Sequence, residues 1–129
     1  MPFARITVAG FQLDQQQKET LAAEVAALVV RVLRKDPTRT AALVEEAHAP
    51  AASVGGAPAA RLAHLEVIVT EGTNSPAEKA GFLEGADALL RRALGPLPKA
   101  TYVVVREVPA DAWGFAGRTQ AARKASSSG

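Results

Sequence analysis

The chain has 129 residues, of which 48% are hydrophobic and 22% charged, a balance typical of a folded globular domain. The net charge of +2 is too small to favour nucleic-acid binding, and no basic stripe with interleaved aromatic residues appears. Cysteine is absent, which excludes disulfides and thiolate metal sites. With neither a secretory signal nor an apolar run long enough to cross a membrane, we expect a soluble cytoplasmic protein that binds no nucleic acid and no membrane.

The first half of the chain predicts a strand, a helix and a second strand. In chain order these are a strand over Phe3–Ala9, a helix whose apolar positions run from Leu21 to Leu33, a strand over Thr40–Ala47 and a turn with a connecting segment over His48–Leu62. Asp14 is placed to cap the helix, since its carboxylate can accept the free N–H groups of the first turn. Asp36-Pro37 stops the helix, because the residue before proline avoids helical geometry.

The second half of the chain repeats this order with clearer end signals. Its predicted elements are a strand over His64–Thr70, a helix from Ser75 to Leu94, a strand over Thr101–Val108, a tight hairpin over Pro109–Gly117 and a flexible tail over residues 118–129. Ser75-Pro76-Ala77-Glu78 combines an N-cap, a proline at the first helical position and a capping-box glutamate. Gly95-Pro96 ends the helix.

The two halves align without a gap when the numbering is shifted by 61. Val8 then meets Val69, and Lys18 meets Lys79. We interpret residues 1–129 as a single domain with an internal repeat over 2–56 and 63–117. One position breaks the symmetry, because Pro2 falls opposite Ala63. The asymmetry suggests that one copy carries chemistry and the other completes the structure.

The repeated unit predicts an α/β (α+β) fold. Each unit joins two parallel strands through a helix, which requires a right-handed crossover. Two such β-α-β units give a four-stranded mixed sheet with both helices on one face. If side chains alternate between the two faces along each strand, the uncovered face carries Phe3, Ala9, Val103 and Val105. An apolar uncovered face favours association, the alternative being a half-polar sheet in a monomer.

Pro2 is the main catalytic candidate. Methionine aminopeptidases remove Met1 when the next residue is small, so we expect Pro2 to become the amino terminus. An α-amino group has an ordinary pKa of about 7.7 to 8, and an apolar pocket lowers it by disfavouring the charged form. A neutral secondary amine of this kind can act as a general base. The alternative is that the Met-Pro start carries no function.

Three features together resemble the tautomerase superfamily, most closely a fused 4-oxalocrotonate tautomerase. They are Met1-Pro2 running directly into a strand, the β-α-β duplication, and the segment from Arg106 to Gly117, which reads REVPADAWGFAG. The resemblance implies proton transfer between an enol or dienol and its ketone, with Pro2 as the base and a small molecule as substrate. It also implies no metal, no cofactor and a homotrimer of fused units.

The resemblance places further residues in the substrate pocket. An aromatic residue before the Gly-x-Gly turn keeps the family's pocket apolar, and Trp113 holds that position while Ala52 holds it in the first copy. Trp113 could equally be a packing anchor. Tyr102 could donate a hydrogen bond to a substrate oxygen or simply pack in the sheet.

The chain departs from the family where arginines usually bind substrate carboxylates. The first-strand positions hold Gln12 and Thr73, and the second-strand positions hold Ala41 and Tyr102. Bidentate capture of a carboxylate is therefore missing at these places. The replacements that we consider are Arg39, Arg106 and Arg118. The loss leaves room for a monoacid or a neutral enol as substrate.

Glu107 leaves other functions open. Related fused enzymes that hydrate or dehalogenate acrylates use a strand glutamate with proline, and Glu107 fits that position, although it also aligns with Glu46 and so could be structural in both copies. Decarboxylation of a small oxo acid and a non-catalytic oligomeric role are further alternatives. His48 and His64 have no nearby ligand pattern, so we expect no metal site.

Overall fold

The computed structural model describes residues 1–48 and 51–128, so Ala49 and Pro50 of the predicted connection and Gly129 of the predicted tail lie outside the described residues. The strands are β1 (Phe3–Ala9), β2 (Ala41–Glu46), β3 (Ser53–Val54), β4 (Ala57–Pro58), β5 (Leu62–Thr70), β6 (Tyr102–Val108), β7 (Gly114–Phe115) and β8 (Arg118–Thr119). The helices are α1 (Gln15–Val32), α2 (Pro76–Leu94) and α3 (Gln120–Ser128), with a short 3₁₀ turn over Pro37–Arg39.

Both long helices begin at the predicted caps. The Asp14 carboxylate accepts the backbone N–H of Gln17, and the Gln17 side chain accepts the N–H of Asp14 in return. Ser75 and Glu78 make the same reciprocal pair at the start of α2. Each capping box satisfies two backbone donors that a helix cannot pair internally.

The main sheet has four strands in the order β2-β1-β5-β6. β1 is parallel to β2 and β5 is parallel to β6, while β1 and β5 pair antiparallel. Each crossover helix packs on the same face of the sheet, where its apolar stripe meets buried strand residues. The fully buried side chains of this core include Ile6, Val25, Leu65, Val67, Phe82 and Leu90. The predicted mixed sheet of two β-α-β units is confirmed.

The uncovered face of the sheet differs from the prediction in one strand. Val103 and Val105 pack against the core, because they pair with the buried residues Leu65 and Val67 of β5. The prediction that they lie on the uncovered face is wrong. Tyr102 and Arg106 take the uncovered side instead, together with Phe3 and Ala9 of β1.

The uncovered face is also more charged than expected. Arg106 contacts Glu66 at 2.8 Å and Arg5 contacts Glu45 at 3.6 Å, both from strands of the sheet. Since these pairs are partly exposed, each contributes little stability by itself. The uncovered face therefore carries both apolar side chains and pairs of oppositely charged residues on neighbouring strands.

The segment predicted as a flexible tail has secondary structure where it is described. Arg118–Thr119 pairs with Gly114–Phe115 as a small hairpin, and Gln120–Ser128 is helical. The backbone N–H of Ala121 donates to the carbonyl of Ala110 at 2.8 Å. These contacts return the end of the chain onto the hairpin, which a short segment of small and polar residues does not reveal in sequence.

Both α1 and α2 are followed by a residue with positive φ, although the two helix ends differ in detail. Arg34 has φ of 58°, and its repeat partner Gly95 has φ of 81°. The backbone N–H of Lys35 donates to the carbonyl of Val30 at 3.1 Å, which closes a Schellman turn. Left-handed geometry is free for glycine but strained for arginine.

We predict that Arg34→Gly stabilises the protein by about 0.5 to 1 kcal/mol, because it removes this strain. The comparison is Gly95→Ala, which places a side chain at a positive-φ position that only glycine adopts readily and should destabilise by about 1 to 3 kcal/mol. Urea unfolding followed by circular dichroism measures both. A loss of stability in Arg34→Gly would contradict the assignment.

Candidate active site

Pro2 is buried at the start of β1. Its carbonyl accepts the backbone N–H of Ala41 at 3.2 Å, which ties it to the start of β2. On the other side, Phe3 pairs with Ile68 in antiparallel register, so one further step places Pro2 across from Val69. Pro2 is therefore held between two strands rather than lying on a free end.

Four chain segments meet at the end of the strands that holds Pro2, which we call the Pro2 edge. β1 and β2 begin at this edge, whereas β5 and β6 end there, because β1 and β5 are antiparallel. The loops that follow or precede these strand ends therefore surround Pro2. They comprise residues 33–40, residues 71–75 and the hairpin over residues 109–119.

The chain's amino end has a lowered proton affinity. Burial lowers the pKa of the Met1 amino group, the cations of Lys35 and Arg39 lower it further, and the Asp36 carboxylate opposes them. An amino group at this place is therefore easier to deprotonate than an exposed one.

Lys35 is a site residue that the sequence analysis missed. Its Nζ donates to Thr73 Oγ1 at 2.8 Å, and burial lowers its pKa while Glu78 and Glu107 oppose the shift. A lysine directly after a helix usually marks a solvent-exposed helix C-terminus, so the residue type alone does not indicate a functional site. The position of Lys35 is more informative, because it directly follows the turn at Arg34 that directs the chain back toward β2.

Trp113 is anchored at the same edge. Its indole Nε1 donates to Thr70 Oγ1 at 3.1 Å, and Thr70 is itself buried. Thr70 follows Val69, the residue across from Pro2, so the indole lies beside the start of β1. Trp113, which the resemblance places in the substrate pocket, therefore lies at the same end of the sheet as Pro2.

A second aromatic residue of the hairpin, Phe115, is bracketed by arginines. The Arg39 guanidinium lies 4.6 Å from the centre of the Phe115 ring, and the Arg123 guanidinium lies 3.6 Å from it. Arg123 also donates from Nη2 to the Phe115 carbonyl at 2.8 Å. Arg39, one of the three arginines considered as replacements, thus belongs to this edge.

Glu107 is held by two partners. Its Oε1 accepts from Lys79 Nζ at 2.9 Å and its Oε2 accepts from the Gly72 backbone at 3.4 Å. The hydrogen bonds from Lys79 and Gly72 lower the pKa of Glu107. The first repeat has the same clamp, in which Glu46 lies 3.7 Å from Lys18 and accepts the backbone N–H of Leu13 at 2.9 Å. This pattern fits the structural interpretation of both glutamates.

Two predicted pocket residues lie at the opposite edge of the same chain. Tyr102 begins β6 and pairs with His64, and its side chain is 63% exposed. Gln12 follows the end of β1. Since β1 has seven residues, these residues are about 20 Å from Pro2. Within one chain the structure therefore brings Pro2, Thr73, Glu107 and Trp113 to one edge and leaves Tyr102 and Gln12 at the other.

The remaining replacement arginines are engaged with other partners. Arg106 points to the uncovered face, where it pairs with Glu66. Arg118 lies in β8 and donates to the Ala122 carbonyl at 3.4 Å. Among residues 1–48 and 51–128, no group of three or more His, Cys, Asp or Glu side chains could hold a metal ion. In the same part of the chain, each helix is too short or too polar to traverse a lipid bilayer.

Comparison with solved structures shows several chains of the same fold. A wild-type fused 4-OT from a symmetric trimer has a TM-score of 0.83 and 20% identity, with 94% of this chain and 98% of that chain covered. Pt0534 inactivated by 2-oxo-3-pentynoate has a TM-score of 0.84 and 15% identity, with 94% and 98% covered. The macrophage migration inhibitory factor-like protein of Entamoeba histolytica has a TM-score of 0.77 and 20% identity, with 92% and 97% covered.

Sequence comparisons give a family but no individual relative. A search of curated proteins finds no match. The model of the family described as "Tautomerase enzyme" matches residues 2–60 and 64–123, which together make up most of the chain. The resemblance inferred from Pro2, the duplication and the hairpin is thereby confirmed, and the chain belongs to the tautomerase family.

Proposed function

We propose that the protein is a cofactor-independent keto–enol tautomerase in which Pro2, freed by removal of Met1, is the general base. The observation that carries the proposal is the environment of the amino end: Pro2 is buried, and the pKa of the half-buried Met1 amino group is lowered by burial and by the cations of Lys35 and Arg39. Removal of Met1 would leave the Pro2 nitrogen as the terminal amine in that environment. A neutral secondary amine there can accept a proton near pH 7.

The reaction needs one proton carrier. The Pro2 nitrogen takes the proton from the enol hydroxyl and returns a proton to the carbon of the former double bond, so that the enol becomes a ketone and the amine is regenerated. Burial of Pro2 favours the neutral amine by limiting its hydration, and Trp113, anchored on Thr70 at the same end of the sheet, adds aromatic surface there.

The charges at the site favour an anionic substrate. Lys35 and Arg39 both influence the amino end electrostatically, and together they outnumber the single opposing carboxylate of Asp36. Cations close to the base can orient a carboxylate and stabilise negative charge that develops on the enol oxygen. We therefore propose a small enol acid as the substrate class, with Lys35 and Arg39 taking the place of the missing family arginines.

We further propose that the working unit is a homotrimer. The uncovered face combines apolar residues such as Phe3 and Ile68 with paired charges, and a sheet of this kind needs a second covering layer. The similar fused 4-OT structure is a symmetric trimer. In such an assembly Tyr102 and Gln12 of a neighbouring chain could complete the pocket, as the family resemblance implies.

Glu107 favours the tautomerase over a hydratase, a dehalogenase or a decarboxylase of a small acid. A glutamate that activates water faces the substrate, whereas the Glu107 carboxylate is oriented by hydrogen bonds from Lys79 at 2.9 Å and Gly72 at 3.4 Å. The repeated clamp at Glu46, in the half without Pro2, supports a structural role for this interaction.

The base is tested by ketonisation of phenylenolpyruvate, followed by ultraviolet absorbance. We expect turnover by protein whose intact mass shows loss of Met1, and a fall in kcat/KM of about 100-fold or more in Pro2→Ala, in line with the usual contribution of a general base. Glu84→Ala, an exposed change in α2 outside the loops around Pro2, is the control for surface effects. Equal turnover in Pro2→Ala would contradict the proposal.

The nucleophilicity of the amine is tested by covalent labelling. 2-Oxo-3-pentynoate, which inactivates Pt0534, is an electrophile that a neutral amine can attack. We expect one addition per chain, located on the N-terminal peptide. Labelling only at lysine side chains would count against a neutral Pro2 nitrogen.

The structural role of Glu107 gives a pH prediction. Because its pKa is lowered in the folded state, its contribution to stability is present above the unfolded carboxyl pKa of about 4.3. That contribution is lost as pH falls through the lower folded value. Glu107→Gln should weaken this acid dependence, lower stability at pH 7 and keep ketonisation. Chemical unfolding between about pH 3 and 7, with Glu46→Gln as the repeat-matched control, measures the effect. Loss of activity in a stably folded Glu107→Gln protein would favour the hydratase alternative.

A further inference from the structure

Two cations of the Pro2 edge are held by uncharged groups of the second repeat. The Nζ of Lys35 donates to Thr73 Oγ1 at 2.8 Å, and the Arg39 guanidinium lies 4.6 Å from the centre of the Phe115 ring. Both cations belong to the loop over residues 33–40 of the first repeat, whereas their partners belong to loops that follow β5 and β6. The join between the two halves of the chain therefore sets where these charges lie.

The hydroxyl of Thr73 is fixed by a second hydrogen bond. Its Oγ1 donates to the Thr70 carbonyl at 2.6 Å, which leaves its lone pairs to accept from Lys35. The carboxylates of Glu78 and Glu107, whose charges reach Lys35, accept their hydrogen bonds from other groups. A hydroxyl positions an ammonium group without neutralising it, so the charge of Lys35 stays available to an anion.

Phe115 gives Arg39 a similar support. A guanidinium is attracted to the face of an aromatic ring and keeps its full charge there. The Asp36 carboxylate lies 3.8 Å from Arg39 Nε, and both side chains are about half exposed, so this ion pair is weak. The contacts with Phe115 and Asp36 use the face and the Nε side of the guanidinium, so its two terminal nitrogens can meet a carboxylate in a bidentate pair.

The ring of Phe115 is itself held by the helix near the end of the chain. Arg123 of α3 donates from Nη2 to the Phe115 carbonyl at 2.8 Å, and its guanidinium lies 3.6 Å from the centre of the ring. The Nε of Arg123 is buried and has no hydrogen-bond partner among the described residues. The contact with Phe115 therefore fixes both the arginine and the ring against which Arg39 lies.

The two supported cations have no counterparts in the other half of the chain. With the shift of 61, Thr73, Phe115, Lys35 and Arg39 correspond to uncharged residues at the opposite edge, which holds Ala63 and which we call the Ala63 edge. These residues are Gln12, Val54, Pro96 and Ala100. The capping boxes and the lysine–glutamate clamps, by contrast, occur in both halves. Because features that serve the fold are repeated, a feature present only beside Pro2 points to a role in the site.

We propose that Thr73 and Phe115 are positioning residues, which hold Lys35 and Arg39 as a two-cation clamp for the carboxylate of the substrate. The inference rests on the proposed function, which supplies the site in which the clamp acts. Thr73, considered above as a residue of the substrate pocket, thereby acts through Lys35 rather than by touching the substrate. The clamp predicts selectivity for a carboxylate over an uncharged group of the same size.

The clamp is tested with cinnamate and with cinnamamide, which has the same shape but no charge. Each probe is titrated into the full chain that has lost Met1 and is followed in ¹H–¹⁵N spectra, so the test needs no turnover. We expect a dissociation constant of about 1 mM or tighter for cinnamate and one about tenfold weaker for cinnamamide. Lys35→Gln and Arg39→Gln should each reduce this preference about threefold or more.

Thr73→Val and Phe115→Leu remove the supports and keep both cations. We expect each variant to weaken cinnamate binding about threefold and to leave cinnamamide binding unchanged, because the cations lose their fixed positions. Thr73→Ser and Phe115→Tyr keep the hydroxyl and the ring face, so they should bind both probes as the wild type does. Thr20→Val, the same change at an exposed position of α1, is the control. Circular dichroism identifies a variant that fails to fold, and the other support then tests the clamp by itself.

The inference is wrong if the wild type binds both probes equally, if the two support variants weaken both probes alike, or if neither changes cinnamate binding. Pro2→Ala separates the clamp from the proposed base, because this variant should keep the preference for cinnamate while it loses ketonisation. Ketonisation retained in Pro2→Ala, with the preference reduced in Thr73→Val, would contradict the base and support the clamp. Ketonisation lost in Pro2→Ala, with the preference unchanged in Thr73→Val and Phe115→Leu, would do the opposite.

Discussion

The antiparallel pairing of β1 with β5 is the constraint on which the rest of the structure depends. It joins two parallel β-α-β units into one sheet through the register that sets Phe3 against Ile68 and Ala9 against Leu62. Because the two units run in opposite directions, equivalent positions of the repeat lie at opposite edges. The Pro2 edge and the Ala63 edge are consequences of this single pairing.

The two edges show how a duplicated unit can divide its roles. The shared features are structural: capping boxes begin both helices, and a lysine–glutamate clamp fixes both strand-to-helix loops. The differences concentrate where substrate would bind. Pro2, Lys35, Arg39 and Trp113 meet at one edge, while alanines and a proline hold the matching positions at the other. The same backbone therefore carries Pro2 and two cations at one edge and only uncharged residues at the matching positions of the other.

Local signals in the sequence were sufficient for the four long strands and the two long helices, but not for the helix at the end of the chain or for every face of the sheet. Asp14, Ser75 and Gly95 mark helix ends because caps and left-handed turns have specific chemical requirements. In the strand containing Val103, Val104 and Val105, apolar and polar residues do not alternate, so the sequence pattern does not indicate which side is buried. That side is decided by pairing with Leu65 and Val67, a long-range contact.

Long-range pairing also limits what the sequence predicts about the candidate site. Pro2, Thr73, Glu107 and Trp113 could be placed from the sequence, since they lie at strand starts and ends that meet at one edge. Grouping Gln12 with Thr73 in a single pocket fails within one chain, because they are equivalents from the two repeats and the antiparallel join separates them. Lys35 was not predictable from its residue type, because its role arises from the direction of the chain after the left-handed turn at Arg34.

The most direct test of the account is the pKa of the Pro2 amine in protein that has lost Met1, measured by titration of ¹⁵N-labelled proline in nuclear magnetic resonance. The account predicts a pKa below the ordinary α-amino range of about 7.7 to 8, and a higher value in Lys35→Gln, since that variant removes a cation beside the amine. A pKa within or above the ordinary range that Lys35→Gln leaves unchanged, or a Pro2 nitrogen still acylated by Met1, would contradict it.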